Sequence, residues 1–314
     1  MYFPLLRGKQ YELIALKEFA EANPSNKSLF PIIEPVRVLH DTLIRAASIL
    51  SIQKIPYSII LNPVRGDYDI PSNRFEISAF LHKFDEFENK PTPAFYADGK
   101  CDIVIKLIET YNLKNVMIIF EDSFDMEKAN DLCLNNAVSY IVCSGADSRS
   151  NTRYLMQTKK NIIRLDDCFN VKKPNTSYRG IIEDSYSEEF FYYKKDNFYG
   201  FSDYCVLPKE FAEGGTSPTA IAIHMTYRKR EDAIWVRHFV SDENYDISSI
   251  RDKFNNVIQH LNDFYEQIPP TEAVRRLIDN RDKYPGLGTL KKVTILNHIQ
   301  LITEILPTLS NNEI

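Results

Sequence analysis

Asn115-Val116-Met117-Ile118-Ile119-Phe120-Glu121-Asp122 is the stretch that decides the fold. Its apolar centre shows no polar alternation, so it describes a strand covered on both faces, as in a parallel sheet. Two carboxylates close it. The same pattern recurs on either side, in Leu29–Val36, Tyr57–Val64, Pro93–Gly99, Val138–Gly145, Asn161–Cys168, Phe198–Cys205 and Ala220–Tyr227, which brings the candidate strands to eight.

Segments of helical spacing lie between the early strands. Leu43, Ala46, Ala47 and Leu50 share one face; Ile77, Phe80, Leu81 and Phe84 share another; Ile103, Ile105, Leu107 and Ile108 crowd a third. Ser72 and Asp102 stand where caps for the second and third helices are expected. Strand–helix alternation implies right-handed crossovers and a parallel sheet. Eight strands favour closure into a (β/α)8 barrel of the TIM type, with an open doubly wound parallel sheet as the alternative. A single domain, 1–314, is expected, with the barrel core at about 29–240. Phe169–Asn197 is a long polar interruption with a short helix, and Ala233–Val240 reads as a hairpin return. The helical stretches within 247–309, broken at Pro269-Pro270 and Pro285-Gly286, are expected to pack on the barrel.

Composition narrows the classes. The 314 residues are 44% hydrophobic and 26% charged, enough for a sizeable core. A formal net charge of -5 lacks the concentrated basic excess of a typical nucleic-acid-binding domain. No apolar run approaches the roughly 20 residues of a membrane span, and Met1–Lys9 lacks the features of a secretory signal. Cys101, Cys133, Cys143, Cys168 and Cys205 are scattered without a CxxC pair, the pattern of reduced thiols in a cytoplasmic protein.

The carboxyl ends of barrel strands form the working face. In chain order those ends carry Glu34, Asn62, Asp98, Glu121 with Asp122, Ser144, Asp166 with Asp167, and Asp203. A ring of carboxylates supplies hard oxygen ligands for Mg²⁺, or an acid and a base of separated pKa. The competing explanation is that Asp and Glu cap helices and start turns, and Asp122, just ahead of a helix near Met126, is expected to do so. Arg37, Arg65 and Lys100 follow these ends closely and suit a phosphate or carboxylate, or simple neutralisation of the acids. In Asn62-Pro63-Val64-Arg65-Gly66-Asp67 the Pro and Gly fix a turn that projects Asn62 and Arg65. His224, within the eighth candidate strand, reads either as a buried, hydrogen-bonded core histidine or as a side chain pointing into the barrel beside Asp203. Gly214-Gly215-Thr216-Ser217 reads as a plain flexible loop or, more weakly, as a phosphate nest. Phe190-Phe191-Tyr192-Tyr193-Lys194-Lys195 combines aromatics with charge, suited to a base, to a protein partner, or to packing a loop. No zinc-hydrolase spacing, nucleophile elbow, Walker loop or dinucleotide fingerprint occurs.

The opening Met1-Tyr2-Phe3-Pro4-Leu5-Leu6-Arg7-Gly8-Lys9-Gln10-Tyr11-Glu12, followed by a helix, resembles the start of the bacterial and phage "beta family" proteins. Ile32-Ile33-Glu34-Pro35, Gly200-Phe201-Ser202-Asp203-Tyr204 and the late Asn297-His298 are similar as well. The resemblance implies a barrel-like fold and a place in anti-phage or mobile-element loci beside a nuclease gene. It supplies no catalytic residues. Two functions are therefore carried forward. One is a component of an anti-phage or mobile-element system that works with a protein partner. The other is a metal-assisted hydrolase or lyase of a phosphorylated substrate, using Glu34, Asp98, Glu121, Asp167, Asp203 and His224, with Asn62, Arg65, Arg37 and Lys100 binding the substrate and Mg²⁺ as cofactor.

Overall fold

A computed structural model of the protein describes residues 1–213 and 218–309. The first part of the chain alternates strands and helices: β1 (Leu5–Leu6), α1 (Gln10–Ala22), β2 (Ile32–Ile33), α2 (Asp41–Ile52), β3 (Ser58–Ile60), α3 (Ile77–Leu81), β4 (Thr92–Tyr96), α4 (Cys101–Thr110), β5 (Val116–Phe120) and α5 (Met126–Leu134). It continues with β6 (Val138–Ser144), α6 (Arg149–Gln157), β7 (Asn161–Leu165), β8 (Glu183–Ser187), α7 (Glu189–Tyr192) and β9 (Gly200–Ser202). After these come β10 (Ala222–Arg230), β11 (Ala233–Val240), α8 (Ile250–Tyr265), α9 (Glu272–Asp279) and α10 (Leu287–Leu309).

Strands β1 to β7 and β9 pair in parallel and in sequence order. A doubly wound sheet would reverse its order partway; this one never does. A bridge between Tyr2 and Phe201 brings the first strand against the last. Phe3 N–H donates to the Phe201 carbonyl and Leu5 N–H to the Asp203 carbonyl, which carries the seam toward the strand ends. The result is a nearly closed (β/α)8 barrel. All five residues of β5 are buried, as its unbroken apolar pattern requires. Aromatic rings fill the interior near the seam: Tyr2 stacks on Phe201 at 5.2 Å and Phe3 on Phe30 at 5.0 Å.

Seven of the eight expected strands line this barrel, and the eighth does not. Ala220–Tyr227 contributes to β10, which belongs to a separate three-stranded antiparallel sheet ordered β10–β11–β8. Its place in the barrel is taken by β1, only two residues long and too short to show a periodicity. The barrel wall therefore runs from residue 5 to 202, rather than from 29 to 240. The interruption at 169–197 holds an unexpected strand, β8. On α4, Val104 and Ile108 are buried while Ile103 is exposed, so the buried face is narrower than the spacing suggested. Neither Ser72 nor Asp102 caps its helix, and α5 is capped by Asp125, which accepts from Glu127 N–H, rather than by Asp122.

The chain divides into two compact units. Unit 1, residues 1–167 and 189–204, contains the barrel. Unit 2, residues 168–188 and the described residues from 205 on, contains the antiparallel sheet with α8, α9 and α10. Within unit 2, α10 packs along β10 and α8 against β11. Among the described residues, no helix is long and apolar enough to cross a membrane.

Candidate functional site

The strand ends of the barrel gather two arginines and two glutamates into a closed ring of alternating charge. Arg7 follows β1, Glu34 follows β2, Arg65 lies on the loop after β3, and Glu121 follows β5. Arg7 reaches Glu34 Oε2 with Nη1 at 3.1 Å and Glu121 Oε1 with Nη2 at 3.0 Å. Arg65 repeats the arrangement, with Nη1 at 3.0 Å from Glu34 Oε2 and Nη2 at 2.6 Å from Glu121 Oε2. Each cation thus touches both anions, a geometry that pairs opposite charges and offsets the cost of burying four of them. Two tyrosines complete the wall. Tyr96 donates to Glu34 Oε2 at 2.8 Å and Tyr204 to Glu121 Oε1 at 2.9 Å. The Arg7 guanidinium lies 4.9 Å from the Tyr204 ring centre, and that of Arg65 lies 5.1 Å from Tyr96, within cation–π range.

The backbone explains why the arginines meet there. Both are followed by glycine with positive φ, Gly8 at +58° and Gly66 at +65°. A Cβ on Gly8 would lie 2.5 Å from the Glu34 carbonyl oxygen, and one on Gly66 would lie 2.3 Å from that of Val36. Two Arg-Gly pairs thus clamp the Glu34–Val36 segment from opposite sequence directions, and only glycine permits the approach. Val64 N–H donates to Glu34 Oε1 at 3.1 Å, so this carboxylate accepts from four donors in all.

The ring sets the ionisation of its members. Burial alone would push the Glu121 carboxyl up, but Arg7 and Arg65 outweigh it and hold the pKa below the ordinary range. Burial acts on both guanidiniums to lower their pKa, and the surrounding tyrosines and glutamates more than reverse it. The phenols of Tyr96 and Tyr204 are pushed far up, first by burial and then by the neighbouring carboxylates. At neutral pH Glu121 is an anion, both arginines are cations and both tyrosines keep their protons.

The other expected site residues fall in different places. Asn62 clamps the backbone of Tyr96, donating to its carbonyl at 2.8 Å and accepting from its N–H at 2.9 Å. Asp98 accepts from the N–H groups of Glu121 and Asp122 at 3.2 and 3.3 Å, and burial raises its pKa despite those bonds. With the exposed Lys100 it borders a cavity of about 480 Å³ between the loops after β4 and β5, floored by Phe120 and Phe124. Arg37 is exposed and pairs with Asp67 at 3.0 Å. Asp203 accepts from the Tyr2 hydroxyl at 2.7 Å, Asp166 pairs with Arg164 at 2.7 Å, and Asp167 is exposed. His224 is not in the barrel. It sits on β10 in unit 2, facing His238, because its strand joins the antiparallel sheet. The phosphate nest expected at Gly214–Ser217 lies outside the described residues. The run Phe190–Lys195 packs inward in part: Phe190 and Tyr193 are buried, and Lys195 sits 4.0 Å over the Phe191 ring.

Of the expected site residues, the barrel brings Glu34, Glu121 and Arg65 into one network. Sequence reasoning missed Arg7, Tyr96 and Tyr204. The signal for Arg7 was its Arg-Gly pair, which recurs at Arg65-Gly66. The ring glutamates face guanidiniums, Asp98 accepts from backbone N–H groups and Asp203 accepts from a hydroxyl. Among the described residues, no three His, Cys, Asp or Glu side chains converge in a metal-binding arrangement. Comparison with family models, curated proteins and solved structures returned no match.

Proposed function

We propose that the barrel mouth binds an anionic small molecule of the phosphorylated or carboxylate class and acts on it by acid–base chemistry. The observation that carries this reading is the ring itself: four charges from four separate strand ends and loops converge at the face where barrels do their chemistry. Stability alone favours apolar side chains at such a place, because a buried ion network contributes little net stabilisation. Arg65 is the group that receives the anion. Its side chain is 18% exposed against 5% for Arg7, and it stands on a loop rather than directly at a strand end. An incoming dianion competes with Glu121 for that guanidinium. Glu121, released from one cation, then serves as the base, while Tyr204 hydrogen-bonds its other oxygen and Arg7 keeps it oriented.

A thermal-shift panel tests this with inorganic phosphate, a sugar phosphate and a dicarboxylate, using wild type and Arg65→Gln. Saturating ligand at a hundred times its Kd stabilises the wild type by about 2.7 kcal/mol. The variant shows no such gain. Absence of stabilisation by every anion, or an equal gain in both proteins, defeats the proposal. The role implied by the motif resemblance, a partner-dependent component of an anti-phage or mobile-element system, is compatible with this chemistry and is tested separately. Co-purification with the neighbouring gene product and phage plating are the measurements.

A further inference from the structure

Unit 2 contains a chain of ionisable groups that the barrel chemistry does not use. His224 on β10 and His238 on β11 are register partners, and their Nδ1 atoms lie 2.8 Å apart. His238 Nε2 lies 3.3 Å from Asp184 Oδ2 on β8. The chain therefore crosses all three strands of the sheet. Two nitrogens at that separation share one proton between them, so one ring donates and the other accepts. With both rings neutral, His224 Nδ1–H donates to His238 Nδ1, and His238 Nε2–H donates to Asp184. With both rings doubly protonated, two N–H groups and two positive charges would oppose each other across the same gap.

Among the described residues, Asp184 is the carboxylate within hydrogen-bond reach of the pair. Phe169 lies 5.0 Å from the His224 ring, and Tyr178 lies 4.6 Å from each imidazole. Arg179, after Tyr178, is held by Asp246. From β11, Arg237 stacks over Phe264 of α8 at 4.5 Å. His260 of α8 pairs with Asp242 at 3.5 Å, and His298 of α10 meets Thr226 at 3.0 Å. The His238 side chain is fully covered, and beside it lies a cavity of about 320 Å³ bordered also by Tyr178, Arg179, His260 and the carboxylates Asp242 and Glu243.

We propose that the Asp184–His238–His224 chain is an acid-sensitive latch, which ties β8, β11 and β10 together near neutral pH and releases them as the pair is forced to take up protons. The direction follows from linkage. Burial lowers the pKa of His224 to about 3, with His238 adding to the effect, and burial lowers that of His238 as well. A histidine depressed in the folded state binds more protons when unfolded. Its stabilising contribution is complete above the unfolded value of about 6.5 and is lost as pH falls from there toward the folded value.

The test is hydrogen–deuterium exchange of the full chain between pH 7.5 and 4.5, corrected for intrinsic rates, on wild type and His224→Phe. In wild type the protection of β10 and β11 is expected to fall up to about tenfold per pH unit for each histidine below 6.5. In the variant the slope falls by at least the share of one histidine, while the barrel amides of both proteins respond alike. Equal pH slopes in β10 and β11 of the two proteins overturn the proposal. If His224→Phe does not fold, the ring-proton NMR titration of wild type decides the matter. Ordinary midpoints near 6.5 for both rings reject the latch, and midpoints well below that support it.

Discussion

Glu34→Gln is the sharpest test of the charge ring. The side chain is fully buried, and the substitution keeps its shape while removing its charge. Three donors converge on Oε2, at 3.1 Å from Arg7, 3.0 Å from Arg65 and 2.8 Å from Tyr96, and Val64 N–H addresses Oε1 at 3.1 Å. A glutamine has one acceptor oxygen, so in either orientation its amide N–H₂ confronts a donor. Two guanidiniums are then left with one carboxylate. Breaking a buried ion pair by removing one partner costs about 3–5 kcal/mol, a large share of the roughly 5–15 kcal/mol that holds a typical domain. With a urea dependence of about 2 kcal/mol per molar, the barrel midpoint should fall by roughly 2 M.

The assay must report unit 1 alone. The single tryptophan, Trp235, lies in β11 of unit 2, so its fluorescence follows the wrong unit. Hydrogen exchange of the β2–β5 amides across a urea series reads the barrel directly. A double-mutant cycle with Arg65→Gln should give a coupling of about 1–3 kcal/mol, because the two side chains share a contact. A midpoint for Glu34→Gln within about 0.5 M of wild type, together with additive single effects, would show that the ring does not bind the strand ends together.

Gly8→Ala and Gly66→Ala should each destabilise the barrel by more than about 1 kcal/mol, because both combine positive φ with a Cβ driven onto a carbonyl oxygen; thermal denaturation measures this, and neutral substitutions contradict the described clamp. Asn62→Ala should cost about 1–3 kcal/mol through two unpaired backbone groups on Tyr96. It should leave anion affinity within about threefold of wild type in the thermal-shift panel, whereas a large selective loss of affinity would restore Asn62 to a direct role in binding.

The fold was legible in the sequence because buried parallel strands advertise themselves. Val116–Phe120 is apolar throughout, and no other common arrangement of five such residues alternates so regularly with amphipathic helices. What escaped were the elements whose signal is not hydrophobic. The strand β1 is two residues long, and its partner across the seam lies almost two hundred positions away. The strand β8, Glu183-Asp184-Ser185-Tyr186-Ser187, is polar because most of it is only partly covered. Ala220–Tyr227 looked like a barrel strand because most of it is buried, with Thr226 against His298 of α10 and Tyr227 against Phe264 of α8. The site was half legible. Carboxylates at strand ends announced Glu34 and Glu121, and the Pro-Gly turn announced Arg65. That these charges satisfy one another, rather than a metal, depends on distances no linear pattern encodes. Tyr96 and Tyr204 carry hydroxyls that count as core aromatics until their partners are known.

The seam has a consequence for how the chain acquires its shape. Ser202 donates to the Phe3 carbonyl across 199 positions, and Tyr2 reaches Asp203 across 201. During synthesis the opening segment must therefore wait, with an unpaired strand edge, until β9 has left the ribosome. Unpaired edges invite pairing with neighbouring chains, and such distant contacts form slowly. The growing polypeptide is most vulnerable to misassembly in the interval before residue 204 emerges, when seven strands exist and the cylinder still gapes.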